Sequence, residues 1–285
     1  MIEFAGNAVV FDVFAPLSGG WRMSLPIALL LGVLQGLTEF LPVSSSGHLA
    51  LAQMLIPGFS QPGVVFDAML HVGTAAAVLW FERRELGRWL TTATGRRLLA
   101  LLVLGVAATA AVAFPVKPVA EAAFLRPAWV GAALVITGLV VALTRWLGKG
   151  GAGEAGTGWR QAAVIGLAQG LAVFPGLSRS GITIAAALGV GLDRAWAARF
   201  SFLLGVPAIA GVAVLQVAGE RAAVAAAGPS FWLACLVGAV AAGLSGYLAL
   251  TIVLKTLTSE VFHRFAWYSL PLGGLVLVLA WRGSL

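Results

Sequence analysis

The chain has 285 residues, of which 60% are hydrophobic and only 10% are charged, and its mean hydropathy is +0.98. Because an ordinary soluble domain has roughly 25% charged residues, this composition excludes that class and indicates an integral membrane protein. The formal net charge of +7 arises from basic residues at the ends of apolar runs. Basic residues in those positions are typical of membrane topology signals, so no nucleic-acid partner is expected.

The first segment, residues 1–23, has acidic residues ahead of Arg22 and no clear cleavage site, so we expect an extramembrane or interfacial segment rather than a cleaved signal peptide. Residues 24–285 are predicted to form a single all-α membrane domain. Apolar runs long enough to cross a bilayer predict six full transmembrane helices, at 66–81, 98–114, 128–147, 200–218, 231–254 and 265–281.

Two further apolar regions, 24–55 and 160–192, are each interrupted near the middle by Pro, Gly and Ser. Each half has roughly a dozen residues and would be about 18 Å long, which is too short to cross a hydrocarbon core of about 30 Å. We therefore predict two re-entrant helix pairs. With this topology, twelve of the 18 basic residues lie on the cytoplasmic side and five outside, while Arg179 lies within the membrane.

The two interrupted regions resemble each other. Residues 32–47 (GVLQGLTEFLPVSSSG) align without gaps to 166–181 (GLAQGLAVFPGLSRSG) at an offset of 134, with eight identities in sixteen positions. Coincidence of composition is the alternative, but the same offset also relates the first three predicted spans to the last three. We predict an inverted-topology repeat with halves 24–147 and 160–281, because three spans separate the two broken regions.

In inverted-repeat folds the site lies near the midplane, where the broken elements meet. Segments 39–48 and 175–183 are therefore predicted to face each other. An arginine within the membrane costs at least about 2.5 kcal/mol, and usually serves an anionic partner. Hydroxyls and a helix N-terminus beside that arginine indicate a phosphate receptor, while a carboxylate and an imidazole could hold a cation and move a proton.

Each polar residue also has a purely structural interpretation. Glu39 could do no more than pair with Arg179, and His48 could bond a backbone carbonyl. The serines could cap half-helices, and the two repeat-matched glutamines could share a structural role. Asp67 and His71, four residues apart near the outer end of a span, are interpreted as interface caps, with support of the site as the alternative.

Two stretches carry a family resemblance. QGLTEFLPVSSSGHL (35–49) and PGLSRSGITI (175–184) resemble the two signatures of the undecaprenyl-diphosphate phosphatase family of the bacitracin-resistance type. The resemblance implies hydrolysis of undecaprenyl diphosphate to undecaprenyl phosphate, with a divalent cation, Mg²⁺ or Ca²⁺, as cofactor. It also implies a bacterial cytoplasmic (inner) membrane protein whose substrate is a polyprenyl diphosphate lipid.

The resemblance further implies roles for individual residues. Glu39 would be a catalytic metal ligand, and Gln35 stands where many members have a second glutamate. Either Ser45 or His48 would be the nucleophile, and the other its base. The diphosphate would be bound by Ser178, Arg179, Ser180 and Thr183, with Arg179 also catalytic.

Architecture alone favours a different function, because inverted repeats with broken helices are typical of transporters. A transporter or flippase for a phosphorylated lipid or small anion is therefore the alternative. We expect the site to open toward the outer (periplasmic) face, because segment 39–48 belongs to the pair that enters from outside. Small residues at 238–249 would allow close packing within one chain or in a homodimer.

Overall fold

The computed structural model describes residues 24–56, 63–124, 126–148 and 150–283, so the predicted segment 1–23 lies outside the described residues. Within these ranges the chain is almost entirely helical. The first half contains α1 Leu25–Phe40, α2 Ser45–Leu55, α3 Gly63–Phe81, α4 Arg83–Thr91, α5 Ala93–Phe124 and α6 Pro127–Leu143. The second contains α7 Trp159–Leu171, α8 Arg179–Gly189, α9 Arg194–Gly219, α10 Arg221–Ala226, α11 Pro229–Thr258, a 3-10 turn Phe262–Phe265 and α12 Ala266–Trp281.

Among the described helices, four segments are long and apolar enough to cross a membrane: α5, α9, α11, and α12 with its preceding 3-10 turn. The pair α3 and α4, which bends by 75°, gives a fifth candidate span. The protein is therefore an all-α, multi-pass membrane protein. Helix α6 has only 17 residues, because the chain turns at 144–146 instead of remaining helical to 147 as predicted.

Helix α5 is longer than the predicted span at 98–114, because it continues through Pro115 and Pro118 to Phe124. Proline breaks helices strongly in water, but membrane helices tolerate it where neighbouring groups satisfy the freed backbone. The helix therefore extends ten residues past the end of the predicted span.

The two interrupted regions form pairs of short helices, α1 with α2 and α7 with α8, and the members of each pair pack against each other. At 1.5 Å per residue the longest of the four, α1, is about 24 Å long. Helix α1 ends before Pro42, where Leu41 has the extended backbone (ψ 142°) that a following proline imposes. Ser44 (φ +72°) and Gly176 (φ +92°) occupy the left-handed region in the two connections.

The helices pack in equivalent ways in the two halves. Helix α1 lies against α11, α7 lies against α5, and α6 lies against α12. Glycine allows the closest of these approaches: a Cβ added at Gly36 would lie 2.3 Å from the carbonyl oxygen of Ala242 and 2.1 Å from Ser245 Oγ. The small residues near the start of 238–249 therefore serve packing of α11 within the chain.

A polar network ties several segments together at one end of the helix bundle. Arg88 donates to both carboxylate oxygens of Glu154, at 3.0 and 2.7 Å. Arg97 donates to the carbonyl oxygen of Thr157 at 2.7 Å, and Arg199 forms a bidentate ion pair with Glu82. Segments 82–97, 154–157 and the start of α9, which the charge distribution assigns to one side, therefore do lie together.

We expect Gly36→Ala to lower the free energy of unfolding by about 1–3 kcal/mol, because the added methyl group would force α1 away from α11. Gly87→Ala is the matched control, since no atom lies within 4 Å of a Cβ at that position in α4. Thermal unfolding in detergent measures the stability of both purified variants against the wild-type protein. Equal unfolding temperatures for the two variants would contradict the close contact.

Candidate active site

The site lies where the connection between α1 and α2 meets the connection between α7 and α8. The Ser180 hydroxyl donates to the carbonyl oxygen of Leu41 at 3.2 Å. A Cβ added at Gly47, in the first turn of α2, would lie 3.3 Å from the Cα of Gly176. The two helix starts therefore abut, as the repeat predicted, and their polar side chains share one buried region.

Glu39 is the centre of this region. Its side chain is 5% exposed, and its Oε1 accepts a hydrogen bond of 2.5 Å from Arg179 Nη2. Its Oε2 accepts from the Ser45 hydroxyl at 2.6 Å and from Gln35 Nε2 at 3.0 Å. Both carboxylate oxygens thus have donors, which compensates for the loss of water around a buried charge.

Arg179 begins α8, and only part of its guanidinium is paired. Its Nη1 is buried, without a hydrogen-bond partner among the described residues. The guanidinium fits beside α9 only because residue 205 is glycine, since a Cβ on Gly205 would lie 2.2 Å from Nη1. A buried guanidinium nitrogen with an unused N–H next to a helix N-terminus is suited to an anionic ligand.

The hydroxyl residues of α8 hold its first turn. Ser178 caps the helix by accepting from the Gly181 backbone N–H at 3.1 Å, and its Oγ lies 3.1 Å from that of Ser180. Thr183 donates to the Arg179 carbonyl at 2.7 Å and also contacts Ser201. All three hydroxyl residues are buried at 2% exposure or less. They fix the position of Arg179, and their contact with a diphosphate stays a prediction.

His48, in the first turn of α2, has other partners than Ser45. Its Nδ1 is 2.7 Å from the Ser44 carbonyl oxygen, and its Nε2 is 2.8 Å from the Tyr268 hydroxyl. The Ser45 hydroxyl instead bonds Glu39. In this arrangement the carboxylate, rather than the imidazole, is the group placed to accept the serine proton.

Four residues of the site, His71, Thr137, Gly205 and Tyr268, lie outside the two signature segments. His71 was interpreted mainly as an interface cap, but its Nδ1 lies 2.8 Å from Gln35 Nε2 and 3.4 Å from Glu39 Oε2. That interpretation was wrong, because α3 passes beside the end of α1. The i,i+4 pairing of an acid and an imidazole inside an apolar run was the available signal. Gly205 and Tyr268 lie in the stretches ARFSFLLGVP (198–207) and FHRFAWY (262–268), which also resemble the family. Thr137 carried no signal, since it lies in a helix with an apolar sequence.

One buried oxygen near Glu39 fits a cation. Gln35 Oε1 has no hydrogen-bond partner among the described residues, and its residue is fully buried. Within the described part of the chain, no three His, Cys, Asp or Glu side chains form a metal cluster. Mg²⁺ is nonetheless commonly held by one or two carboxylates together with substrate phosphates. Glu39 offers a carboxylate of that kind, and Gln35, whose Nε2 bonds Glu39 Oε2, offers an amide oxygen.

The chain is similar to known proteins over most of its length. The model of the bacitracin resistance protein BacA family matches residues 28–275, which include every site residue described above. This chain belongs to the BacA family. Curated BacA-like relatives named undecaprenyl-diphosphatase include one from Desulfosudis oleivorans, 42% identical over 89% of this chain and 97% of its own. Another, from Syntrophotalea carbinolica, is 40% identical over 90% of this chain and 100% of its own.

A similar relative occurs in Methanosphaera stadtmanae, also named undecaprenyl-diphosphatase, at 32% identity over 89% of this chain and 97% of its own. These matches cover nearly whole proteins on both sides. The sequence similarity to these relatives therefore extends far beyond the two short signatures.

Within the BacA site, Thr137 of α6 holds the connection between α7 and α8 immediately before Arg179. Its hydroxyl donates to the Gly176 carbonyl and accepts from the Ser178 backbone N–H, both at 2.9 Å. Thr137→Val keeps the shape but leaves two buried backbone groups unpaired, which should lower the free energy of unfolding by about 1–3 kcal/mol.

The same change at Thr251 is the control, because that exposed hydroxyl only bonds the Tyr247 carbonyl of its own helix. Chemical or thermal unfolding in detergent compares the two variants. A Thr137→Val protein as stable as Thr251→Val would refute the bridging role.

Proposed function

We propose that this protein hydrolyses undecaprenyl diphosphate to undecaprenyl phosphate and inorganic phosphate, and so recycles the lipid carrier for cell-wall synthesis. Membership of the BacA family and relatives named undecaprenyl-diphosphatase support this function. The observation that carries it is the buried group of Arg179, Glu39 and Ser45, in which an anion receptor, a proton acceptor and a hydroxyl meet.

Arg179 and the N-terminus of α8 bind the diphosphate in this proposal. The unpaired Nη1 of Arg179 supplies a charge-assisted hydrogen bond, and the helix dipole adds a partial positive charge. Ser178, Ser180 and Thr183 complete the diphosphate site by holding the first turn of α8, and by offering hydroxyls if that turn opens. Binding at this depth leaves the polyprenyl tail among the helices and lipid.

Ser45 is the nucleophile that the geometry favours. Its hydroxyl lies 2.6 Å from Glu39 Oε2, so Glu39 can accept the proton as the serine oxygen attacks the terminal phosphorus. The bond from that phosphorus to the bridging oxygen breaks, and undecaprenyl phosphate leaves. A water then attacks the phosphoserine, and His48 accepts a proton from that water. The bond from the phosphorus to Ser45 Oγ breaks as Glu39 returns its proton to that oxygen, and inorganic phosphate is released.

Glu39 and Gln35 are the residues that would hold a divalent cation, Mg²⁺ or Ca²⁺. Glu39 offers a carboxylate, and Gln35 offers the buried amide oxygen that has no other described partner. When bound, the cation supplies positive charge against the phosphate oxygens. Glu39 also accepts the hydrogen bonds from Ser45 and Arg179, and so keeps both side chains in place.

The proposed architecture is six full spans and two re-entrant pairs in an inverted-topology repeat, forming one domain. The starts of four helices support it. Helix α1 begins at Leu25 and α7 at Trp159, 134 positions apart, and α2 and α8 begin at Ser45 and Arg179 with the same spacing. The packing of α1 on α11 and of α7 on α5 follows the same relation. Nothing among these contacts favours a carrier over an enzyme.

We further propose that the site opens on the outer face of a bacterial inner membrane. A pocket of about 90 Å³ reaches His71 and is lined by Ala68, His71, Ile209, Val212, Ala213 and Gln216. These residues lie in the parts of α3 and α9 remote from the Glu82 and Arg199 pair, which belongs to the basic face.

A homodimer would have to use surfaces other than the part of α11 that packs on α1.

Purified protein should release phosphate from undecaprenyl diphosphate, and Glu39→Gln or Arg179→Gln should slow that release by about 100-fold or more. Each change removes one charge of the central pair and one group that acts on the phosphate. Glu121→Gln and Arg221→Gln are the charge-matched controls on exposed positions, and should keep full activity. Free phosphate is measured by a colorimetric assay in detergent.

Gel filtration establishes that the variants remain folded. If the wild-type protein released no phosphate but moved a phosphorylated lipid across liposomes, the carrier alternative would replace the hydrolase. Full activity in both Glu39→Gln and Arg179→Gln would show that this group of residues is not the active site.

Gln35→Glu should lower the Mg²⁺ concentration for half-maximal activity by about tenfold, because a second carboxylate raises cation affinity. Mg²⁺ should also raise the unfolding temperature more in this variant than in the wild-type protein. Gln169→Glu, at the repeat-equivalent position beside Thr109, is the control and should show neither effect. An unchanged Mg²⁺ dependence in Gln35→Glu would remove residue 35 from the cation site.

A further inference from the structure

Tyr268 links α12 to the candidate active site through His48. Its hydroxyl lies 2.8 Å from His48 Nε2, and the two rings are stacked with centroids 5.7 Å apart and planes inclined by 16°. The tyrosine is 50% exposed, so it is not part of the packed core. A hydroxyl on a half-exposed side chain does not require a protein partner, so its hydrogen bond to a histidine of the site calls for an explanation.

The hydrogen bonds around His48 determine which ring nitrogen carries the proton. A carbonyl oxygen can only accept, so the 2.7 Å contact with Ser44 requires the proton on Nδ1. In the neutral ring Nε2 then has the free lone pair, which accepts from the Tyr268 hydroxyl. Ser44 has φ +72°, a conformation that is rare for a residue with a side chain and is tolerated where the surroundings enforce it.

We propose that Tyr268 is a positioning residue of the hydrolysis reaction. The Ser44 carbonyl sets the Nδ1–H form, and the Tyr268 hydroxyl holds the His48 ring so that the Nε2 lone pair points along a fixed line. During turnover the Tyr268 hydroxyl yields that lone pair to the water that cleaves the phosphoserine. This inference rests on the proposed function, and adds α12 to the elements that build the site.

Tyr268→Phe keeps the stacked ring and removes only the hydroxyl. We expect kcat for phosphate release to fall about tenfold, the equivalent of one hydrogen bond at a reacting group, with KM changed by less than about twofold. Tyr247→Phe is the matched control, because the protein has only two tyrosines and Tyr247 packs on Phe81 away from His48. It should keep the wild-type kcat.

A second measurement is independent of activity. The chain has three histidines, so ¹⁵N spectra of histidine-labelled protein in detergent resolve His48, with His48→Gln giving the assignment. Tyr268→Phe should shift the His48 Nε2 resonance and leave those of His71 and His263 in place. Tyr247→Phe should shift none of the three.

The outcomes separate the two proposals. Absence of phosphate release by the wild-type protein would reject the hydrolase function itself. With an active wild-type protein, an unchanged kcat in Tyr268→Phe would overturn the positioning role. A fall in kcat without a shift of the His48 nitrogen, or an equal fall in Tyr247→Phe, would overturn it as well.

Discussion

The site depends on one ion pair within the membrane domain, between Glu39 at the end of α1 and Arg179 at the start of α8. Neither charge could remain there alone, since removing one partner of a buried pair typically costs about 3–5 kcal/mol. The pair joins two separately broken helix pairs at the point where their backbones are least regular. The caps at Ser44 and Ser178 satisfy freed backbone groups around it.

Much of this arrangement could be predicted from local patterns. Pro and Gly interruptions in apolar runs predicted the two helix pairs, and the internal repeat predicted that Glu39 and Arg179 would meet. His71 and Tyr268 show the limit of these patterns, because their contacts with Glu39 and His48 could not be predicted. Each lies in a long apolar helix, where periodicity shows which residues share a face but not which distant side chain that face will meet. Helix register decides such contacts, and register depends on packing over the whole domain.

The two halves of the chain bring different chemistry to the site. The repeat offset relates Glu39 to Val173, and His71 to Gly205. Where the first half has an imidazole, the second has no side chain, and the guanidinium of Arg179 occupies the space that results. The described residues thus form a polar centre to which the first half contributes an acid and the second a guanidinium.

The Glu82 and Arg199 pair has a mechanical consequence. It fastens the first half to the second at the basic end of the bundle, while the central pair fastens them again beside His71 of α3. His71 precedes Glu82 by 11 residues, which is about 16 Å by the rise of an α-helix. Rocking one half against the other would separate opposite charges at two depths at once. The two ion pairs therefore oppose that movement together, one at the basic end of the bundle and one beside the site.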